Sequence, residues 1–446
     1  MPKFLLFLTI LISLKVFSGY YENQDLIIEE YFENLRSCEI ELDIISSYPY
    51  PYSRIYKKIL PVKNISSDEE CKNKIEELIY LLENRFLKNR NYIRLQSSTP
   101  QIFFNTNSQR YTEDNSLSYS YSDFKDSFSY NFQAILTDGD MRLDGSYFSY
   151  FSENNLIFTF GRSSQWWSPS QNMSLILSNQ SRPFPFISLE NNIPKVIDLR
   201  FLRALGPVNY KFFLGQLEEG RTIPNAKLLG LRLTFFPNRD LQWSIFRTAQ
   251  FGGQGRPTSL RTIFNLLIGR ENINTLDSTK NDPGNQIAGI DFSYSLNFKN
   301  RANRIYGQIA GEDEAGYLPS RTFYNLGFST LNKSIDNPFK LSLEMIDTES
   351  SSGIDNYTYN HYLYQDGYRY LKKPIGASID SDSNMILVKI EKNIFNKGYF
   401  TLKLFKSDIN KNKSYRNSFG PNQLKVNGLE ISRRFIFEKY NINLDF

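Results

Sequence analysis

The sequence is poor in the side chains that most often build metal sites and catalytic centres. Its 446 residues include one histidine and two cysteines, which leaves little for a zinc site made of cysteine and histidine. No phosphate-cradling glycine loop and no nucleic-acid-binding pattern is present. We therefore expect no metal, no cofactor and no nucleic-acid partner.

Long apolar runs are also missing beyond the N-terminus. Phe4 to Leu14 is an apolar stretch behind Lys3, too short to span a bilayer and typical of a signal peptide. Val16 and Ser18 suit the −3 and −1 sites, so we expect cleavage after Ser18. No later run approaches 18 apolar residues, which excludes a transmembrane helix in the mature chain. The mature chain is therefore predicted to be exported: secreted, periplasmic, or inserted in an outer membrane as strands.

Aromatic residues are abundant, with 36 Phe and 29 Tyr against 5 Met. This bias suits β-strands and the aromatic girdles of membrane barrels. From about residue 100, apolar and polar residues alternate, as in Ser116 to Gln133, and the chain ends in an alternating stretch that closes on Phe446. Strands of about ten residues, joined by alternately short and long links, predict an antiparallel outer-membrane β-barrel.

Residues 24–95 differ, because their apolar positions recur at helical spacing. Ser66 to Leu95 is the clearest helix, with a capping serine, acidic residues at its start and basic residues near its end. We therefore expect a small helical bundle ahead of the barrel. The predicted boundaries are 1–18 for the signal peptide, 19–98 for the helical bundle and 99–446 for the barrel.

Both cysteines, Cys38 and Cys71, fall in this helical unit. Because an exported chain meets an oxidising compartment, we expect them to form a disulfide. Two buried free thiols are the alternative.

One stretch, residues 161–190, shows neither the helical spacing of apolar residues nor the alternation of a strand. It reads GRSSQWWSPSQNMSLILSNQSRPFPFISLE and contains two adjacent tryptophans and two proline breaks, Pro169 and Pro183. Each proline lacks the backbone N–H that would donate a hydrogen bond to the neighbouring strand, so a stretch with this many prolines does not fit a central strand. The stretch is predicted to be a long, ordered loop held by the barrel.

Eight segments, which follow one another along the chain, resemble segments of a known protein family. They are 161–190, FLGQLEEGR (213–221), TAQFGGQGRP (248–257), NDPGNQIAGIDF (281–292), YGQIAGEDEAG (306–316), LEMIDTES (343–350), NHYLYQDGYRY (360–370) and IGASIDSDS (375–383). Together they resemble the capsule assembly Wzi family of outer-membrane proteins. The family often has Arg before its Trp pair and Gly-Pro after it, where this chain has Gln165 and Ser168-Pro169.

The resemblance implies a barrel of about 18 strands, a periplasmic helical bundle and long external loops that obstruct the lumen. It also implies a surface lectin that attaches capsular polysaccharide to the cell.

Positive charge is concentrated in residues 160–270, which hold 14 Lys and Arg against 5 Asp and Glu. Eleven of the fourteen are arginine, whose planar fork suits carboxylate and phosphate. Acidic capsule sugars and lipopolysaccharide phosphates are both expected partners, and a solvated barrel interior is the alternative for any single arginine. The polysaccharide-binding candidates are Arg162, Trp166, Trp167, Arg182, Arg221, Arg247, Arg256, Glu312, Asp313 and Glu314.

The two tryptophans could stack on sugar rings, or pack the loop against the barrel wall. If they are extended, adjacent side chains point opposite ways, so at most one faces a ligand. For the acidic cluster at 312–314, salt bridges are favoured over catalysis. His361 is favoured in a structural role, because an esterase would need a serine and an orienting acid beside it.

The leading prediction is therefore a monomeric, non-enzymatic outer-membrane protein that holds acidic surface polysaccharide. A diffusion channel is the first alternative, since barrels of this size can enclose a pore. An outer-membrane hydrolase using His361, or Glu312 and Glu314, is the second.

Overall fold

The computed structural model describes residues 20–21, 46–59, 69–81, 90–96, 104–106, 115–125, 127–200, 202–259, 262–264, 284–298, 301–312, 314–315, 318–319, 321–332, 339–394, 398–436 and 441–445. Within these ranges no helix combines the length and apolarity needed to cross a bilayer.

The helices with given bounds in the described part of the chain are short. They are α1 (Tyr52–Ile59), α2 (Glu69–Leu81) and one turn of 3-10 helix (Arg203–Leu205). The strands up to the inner stretch are β1 (Tyr20–Tyr21), β2 (Ser47–Tyr48), β3 (Tyr50–Pro51), β4 (Arg90–Gln96), β5 (Ser116–Lys125), β6 (Phe128–Thr137), β7 (Met141–Arg142), β8 (Tyr147–Phe151), β9 (Leu156–Gly161) and β10 (Trp166–Trp167). Those that follow are β11 (Phe186–Asn191), β12 (Lys195–Val196), β13 (Pro207–Gln216), β14 (Lys227–Phe235), β15 (Leu241–Phe251), β16 (Gly284–Phe298), β17 (Arg301–Glu312), β18 (Glu314–Ala315), β19 (Leu318–Pro319) and β20 (Thr322–Asn332). The last are β21 (Phe339–Asp347), β22 (Arg369–Tyr370), β23 (Lys373–Pro374), β24 (Asn384–Ile394), β25 (Gly398–Ile409), β26 (Leu424–Ile436) and β27 (Asn441–Asp445).

The long strands form one sheet that is arranged as a closed barrel. Each strand pairs antiparallel with its neighbour along the chain, as β14 does with β15 and β16 with β17. The fold class predicted from the alternation is therefore confirmed, while the number of about 18 strands stays a prediction.

Connections at the two ends of the barrel differ in length. A five-residue turn, 236–240, joins β14 to β15, whereas the segment 348–383 joins β21 to β24 at the opposite end. We call these the short-turn end and the long-loop end. The segments 162–185, 217–226 and 410–423 also lie at the long-loop end.

The barrel wall is apolar outside and polar inside. On β16, Ile290 and Phe292 are exposed on the outer face, while Asp291 and Ser293 are buried on the inner face. A water-soluble sheet packed on a core would show the reverse. An apolar outer face with a polar interior is the arrangement of a barrel surrounded by lipid.

The N-terminal prediction needs a correction. The helix expected over Ser66 to Leu95 is described over Glu69–Leu81, residues 82–89 lie outside the described residues, and Arg90–Gln96 is a strand that pairs with β5 in the barrel. The reason is that Tyr92, Ile93 and Leu95 favour a pleated, half-buried strand over another helical turn. The barrel thus begins by Arg90, ahead of the boundary expected between residues 98 and 99.

Several expectations fall wholly or partly outside the described residues. The signal peptide and residues 22–45 of the predicted helical bundle do so. Cys71 is buried and disulfide-bonded, but Cys38 lies outside the described residues, so the pairing itself stays a prediction.

The hydrophobic core lies within the barrel lumen. Leu175, Ile176 and Leu177 are at most 1% exposed and pack with wall residues such as Phe213 and Phe246. The prolines of this stretch, Pro169 and Pro183, stand outside the strands. The prediction of an ordered loop held by the barrel is therefore confirmed for residues 162–185, which we call the inner loop.

Candidate functional site

The inner loop is fastened to the wall by a buried carboxylate. Glu344, on β21, accepts hydrogen bonds from Ser170 Oγ at 2.5 Å, Asn172 Nδ2 at 2.8 Å and Tyr306 OH at 2.6 Å. Two of these donors belong to the loop and one to β17. The carboxylate of Glu344 therefore ties the inner loop to β21 and, through Tyr306, to β17, two wall strands that are separated by β20.

A second wall contact uses backbone groups of the inner loop. Gln308 accepts the backbone N–H of Leu175 at 3.0 Å and donates to the carbonyl of Trp167 at 2.8 Å. Arg304 donates to the carbonyl of Pro169 at 3.0 Å. These bonds satisfy loop groups that would otherwise be buried without partners, and this is what permits an irregular segment inside the lumen.

The tryptophans are core residues in this structure. Trp166 is 1% exposed and donates from Nε1 to the carbonyl of Ser170 at 2.8 Å, and Trp167 is fully buried with its ring 5.4 Å from that of Phe213. Neither ring reaches the surface. The packing alternative that the sequence left open is the one that the geometry supports.

Residues 46–59, the N-terminal segment, enter the lumen from the short-turn end. Arg54 forms an ion pair of 2.9 Å with Glu190 and donates to the carbonyls of Asn191 and Asn192 at 2.6 and 2.5 Å. Ser46 Oγ accepts from Arg232, on the wall, at 2.9 Å.

The N-terminal segment and the inner loop meet inside the barrel. Trp166 pairs with Tyr48 and Trp167 with Ser47 in a short antiparallel ladder. Side chains from both segments therefore fill the lumen, one entering from each end.

The inner loop is covered by residues 348–383, which we call the cap loop. Tyr359 OH donates to the carbonyl of Leu175 at 2.6 Å and accepts from the backbone of Ala377 at 3.0 Å. The backbone N–H of Ser178 donates to the carbonyl of Ile375 at 2.8 Å. The long-loop end of the barrel is thus a packed surface made of two loops.

A basic surface lies where these two loops meet. In the cap loop, Tyr370 pairs with Lys373 in a hairpin whose tip is Leu371 and Lys372, both at positive φ. We call Arg162, Arg182, Tyr370, Lys372 and Lys373 the hairpin patch.

The hairpin packs against the inner loop, since the ring of Tyr370 lies 6.1 Å from that of Phe184. Burial raises the pKa of Tyr370, and the positive charges of Arg162 and Arg182 oppose that rise. Both guanidinium groups therefore act on one phenol, although they come from opposite ends of the inner loop.

The charges of the hairpin patch are only partly neutralised. Arg182 donates to both carboxylate oxygens of Asp144, at 2.7 and 3.3 Å; burial alone would lower its pKa, but these bonds and the charge of Asp144 raise it. Arg162 and Lys372 are exposed, and in the described part of the chain neither forms an ion pair. The hairpin patch can therefore present donors and positive charge to an anionic ligand.

The other candidate residues are dispersed. Arg221 is buried and donates to the carbonyls of Arg369 and Gly367 at 3.0 and 3.1 Å, so it braces the cap loop. Glu312 is buried and accepts the backbone N–H of Tyr359. Arg247 belongs to the outer face of β15, where it donates to Gln286 at 2.5 Å.

Three candidates remain. Arg256 is half-buried after the turn at Gly255, Asp313 lies outside the described residues, and Glu314 belongs to β18. Of the ten candidates, the fold brings Arg162 and Arg182 together at the surface.

Sequence reasoning missed the hairpin residues Tyr370, Lys372 and Lys373. The signal available was the run Leu371-Lys372-Lys373-Pro374, a basic turn next to an aromatic. Two adjacent lysines are ordinary on a surface, and they become part of a basic cluster only because their hairpin carries Tyr370, on which the charges of Arg162 and Arg182 act.

His361 closes a turn. Its Nδ1 accepts the backbone N–H groups of Leu363 at 3.2 Å and Tyr364 at 3.3 Å. Among the described residues, no group of three or more His, Cys, Asp or Glu side chains is arranged to hold a metal ion.

An apolar outer wall, a polar inner wall and a lumen packed with ordered segments define an outer-membrane barrel of the occluded kind. Residues 88–444 match the profile of the family described as capsule assembly protein Wzi, and the chain belongs to this family.

Two relatives illustrate the match. An uncharacterised 55.8 kDa protein of the cps region in Klebsiella pneumoniae is 28% identical over 386 residues, which cover 85% of this chain and 75% of that protein. The solved structure of Wzi from Escherichia coli superposes with a TM-score of 0.77 at 24% identity, covering 96% of this chain and 94% of that one. That Escherichia coli protein is an outer-membrane protein involved in group 1 capsule assembly and a carbohydrate-binding β-barrel.

Proposed function

We propose that this barrel attaches exported capsular or other acidic polysaccharide to the cell surface, as a binding protein without catalytic activity. In this arrangement the long-loop end faces outward and the helical bundle lies on the periplasmic side. The observation that carries the proposal is the exposed basic hairpin patch, set on ordered loops at the mouth of a filled lumen.

The packing supports binding over diffusion. A channel needs a continuous aqueous path, but here the inner loop and the N-terminal segment meet at the Trp166–Tyr48 pair in the lumen. Solutes would have to displace buried side chains such as Trp167 and Leu175. The family relation and the carbohydrate binding stated for the Escherichia coli relative point the same way.

The charge of the hairpin patch suits an acidic polymer. Arg162 and Lys372 are exposed, and arginine binds carboxylate or phosphate through two parallel hydrogen bonds. A polymer that repeats its acidic group can engage the patch many times, which raises its effective concentration there. Lipopolysaccharide as a lipid partner and a monomeric state belong to the same proposal.

The test compares two charge-reversed variants in cells that make the polysaccharide. Arg162→Glu with Lys372→Glu changes the hairpin patch, and Lys195→Glu with Arg200→Glu makes the same charge change on exposed residues at the short-turn end. The measurement is the ratio of cell-bound to released polysaccharide, with heat-modifiable gel mobility to verify folding.

We expect the hairpin double variant to release polysaccharide almost as a deletion strain does, and the control variant to retain it as wild type does. Equal retention by the deletion strain and wild type would overturn the proposed function. Equal loss from both variants would remove the hairpin patch as the site.

A further inference from the structure

Two tyrosines stand exposed on loops beyond the barrel strands. Tyr415 is 79% exposed, the most of any large apolar side chain in the described part of the chain, and Tyr362 is 57% exposed. Many exposed aromatics, such as Phe292 on β16, lie on the outer wall where lipid covers them. Lipid tails do not cover loops at the long-loop end, so the exposure of these two rings needs another explanation.

The two tyrosines belong to one continuous face. Arg416 Nη1 lies 3.5 Å from the carbonyl of His361, and its guanidinium carbon lies 5.7 Å from the ring centre of Tyr415. The ring of His361 in turn lies 4.6 Å from that of Tyr362. We call Tyr415, Arg416, His361 and Tyr362 the tyrosine face; it joins the cap loop to residues 410–423.

The loops under this face are fixed before any ligand arrives. Asn410 donates to the carbonyls of Ser414 and Gly420 at 2.9 and 2.8 Å. Buried Asp380 accepts from Arg369 in the cap loop at 2.6 Å and from the backbone N–H of Ser418 at 2.8 Å. Binding on such a face loses little conformational entropy.

The chemistry of this face suits a sugar ring. A pyranose has an apolar face of C–H groups, which packs on an aromatic ring, and an edge of hydroxyl or carboxylate oxygens. The guanidinium group of Arg416 keeps most of its donors for such oxygens, since the one hydrogen bond that this group makes in the described part of the chain is the long contact to the carbonyl of His361.

We infer that the tyrosine face is a second carbohydrate subsite, where pyranose rings of the bound polysaccharide stack on Tyr415 and Tyr362 while Arg416 donates to their oxygens. This subsite rests on the proposed function and differs from the hairpin patch in kind. Stacking on aromatic rings depends little on ionic strength, whereas contacts between exposed charges are screened by salt.

The experiment measures binding of polysaccharide, purified from the cells that express the protein, to immobilised full-length protein in nanodiscs. Salt is set at about 0.01 M and about 1 M, where the screening length is about 30 Å and about 3 Å. The variants are Tyr362→Ala with Tyr415→Ala, the matched Tyr362→Phe with Tyr415→Phe, and Tyr80→Ala, which truncates an exposed tyrosine on α2.

We expect the double alanine variant to bind at least fivefold more weakly at both salt concentrations, while the phenylalanine variant and Tyr80→Ala stay within twofold of wild type. Unchanged affinity of the double alanine variant at both salts would overturn the subsite. If the Arg162→Glu, Lys372→Glu variant still lost affinity at low salt, the proposed function would stand. If wild-type protein bound no polysaccharide at both salt concentrations, the subsite and the proposed function would both be overturned.

Discussion

At the scale of single residues, Glu344 contributes most to holding the inner loop in the lumen. One buried carboxylate accepts from Ser170, Asn172 and Tyr306, and the first two are loop residues. An unsatisfied buried donor costs about 1–3 kcal/mol. Removing the carboxylate of Glu344 therefore removes the strongest hydrogen bonds that hold the inner loop against the barrel wall.

We predict that Glu344→Ala raises the single-channel conductance of the barrel in planar bilayers, because the loosened loop opens an aqueous path. Glu344→Gln keeps an acceptor oxygen and should lie between the alanine variant and wild type. Glu153→Ala, on an exposed turn, is the control. Conductance of Glu344→Ala indistinguishable from that of Glu153→Ala would show that the loop is held by other contacts.

A second residue makes the cap loop sensitive to pH. Burial raises the pKa of Asp382 from 3.8 to about 6, and the charges of Asp355 and Glu349 add to the rise, against hydrogen bonds from Asn356 and Asn412. Because this pKa is higher in the folded loop than in the unfolded chain, folding favours the protonated form. The stabilising contribution is complete below about pH 4 and is lost as the pH rises through about 6.

We therefore predict that amide hydrogen exchange within residues 348–383, corrected for the intrinsic pH effect, reports easier opening at pH 7 than at pH 5. Each pKa unit corresponds to about 1.4 kcal/mol. Asp382→Asn should give similar protection at both pH values. A wild-type loop with equal protection at pH 5 and pH 7 would contradict the assignment.

Residue-scale prediction from sequence succeeded where chemistry is local and failed where burial decides. The arginines predicted an anion site, and the structure places Arg162 exposed and Arg182 half-buried at the long-loop end; the anion site itself stays a prediction. Trp166 and Trp167 were ambiguous, because an aromatic ring stacks equally well on a sugar or on a core. Their neighbour Phe213 lies more than 40 positions away, and that contact is invisible without the fold.

At the scale of elements, the N-terminal segment is the least expected part of the architecture. The sequence placed helices ahead of the barrel, and α1 and α2 are helices of that region. It did not predict that residues 46–59 insert into the lumen. Arg54 binds Glu190, Asn191 and Asn192, which lie more than 130 positions along the chain, and contacts at such a distance leave no local pattern in the sequence.

We predict that Arg54→Ala releases this segment. Glu190 would then keep only Lys211, at 3.6 Å, as its cationic partner among the described residues. Breaking a buried ion pair costs about 3–5 kcal/mol, and about 1.4 kcal/mol is a factor of ten in equilibrium. Hydrogen exchange in residues 46–59 should speed up by roughly a hundredfold or more.

Arg203→Ala is the matched control, because it breaks an exposed pair with Asp198 whose contribution to stability is about 0–1 kcal/mol. Exchange in residues 46–59 that is as slow in Arg54→Ala as in Arg203→Ala would mean that the ladder at Trp166 holds the segment without Arg54.

At the scale of the whole molecule, the alternation of apolar and polar residues was enough to predict the barrel. The long wall strands alternate as β16 does, with residues such as Ile290 and Phe292 outside and Asp291 and Ser293 inside, so the period of two residues is visible in the sequence. The interior could not be predicted in the same way. The inner loop is fixed by contacts such as Ser170 to Glu344, which link residues 174 positions apart and leave no periodic trace.

The loops that fill the mouth of the barrel also carry Arg162, Lys372 and the tyrosine face. We propose that the filled lumen blocks solutes and that the hairpin patch holds the ligand outside it by charge. A sealed barrel with an outward basic surface can retain a polymer without conducting solutes.

The most direct measurement is the salt dependence of polysaccharide affinity for purified protein in nanodiscs, for wild type and for the Arg162→Glu, Lys372→Glu variant. We predict that wild-type affinity falls steadily as the screening length shrinks from about 30 Å to about 3 Å, and that the variant binds weakly with a much flatter dependence. The Lys195→Glu, Arg200→Glu variant should follow wild type. Equal affinity and equal salt dependence in wild type and the hairpin variant would contradict the account.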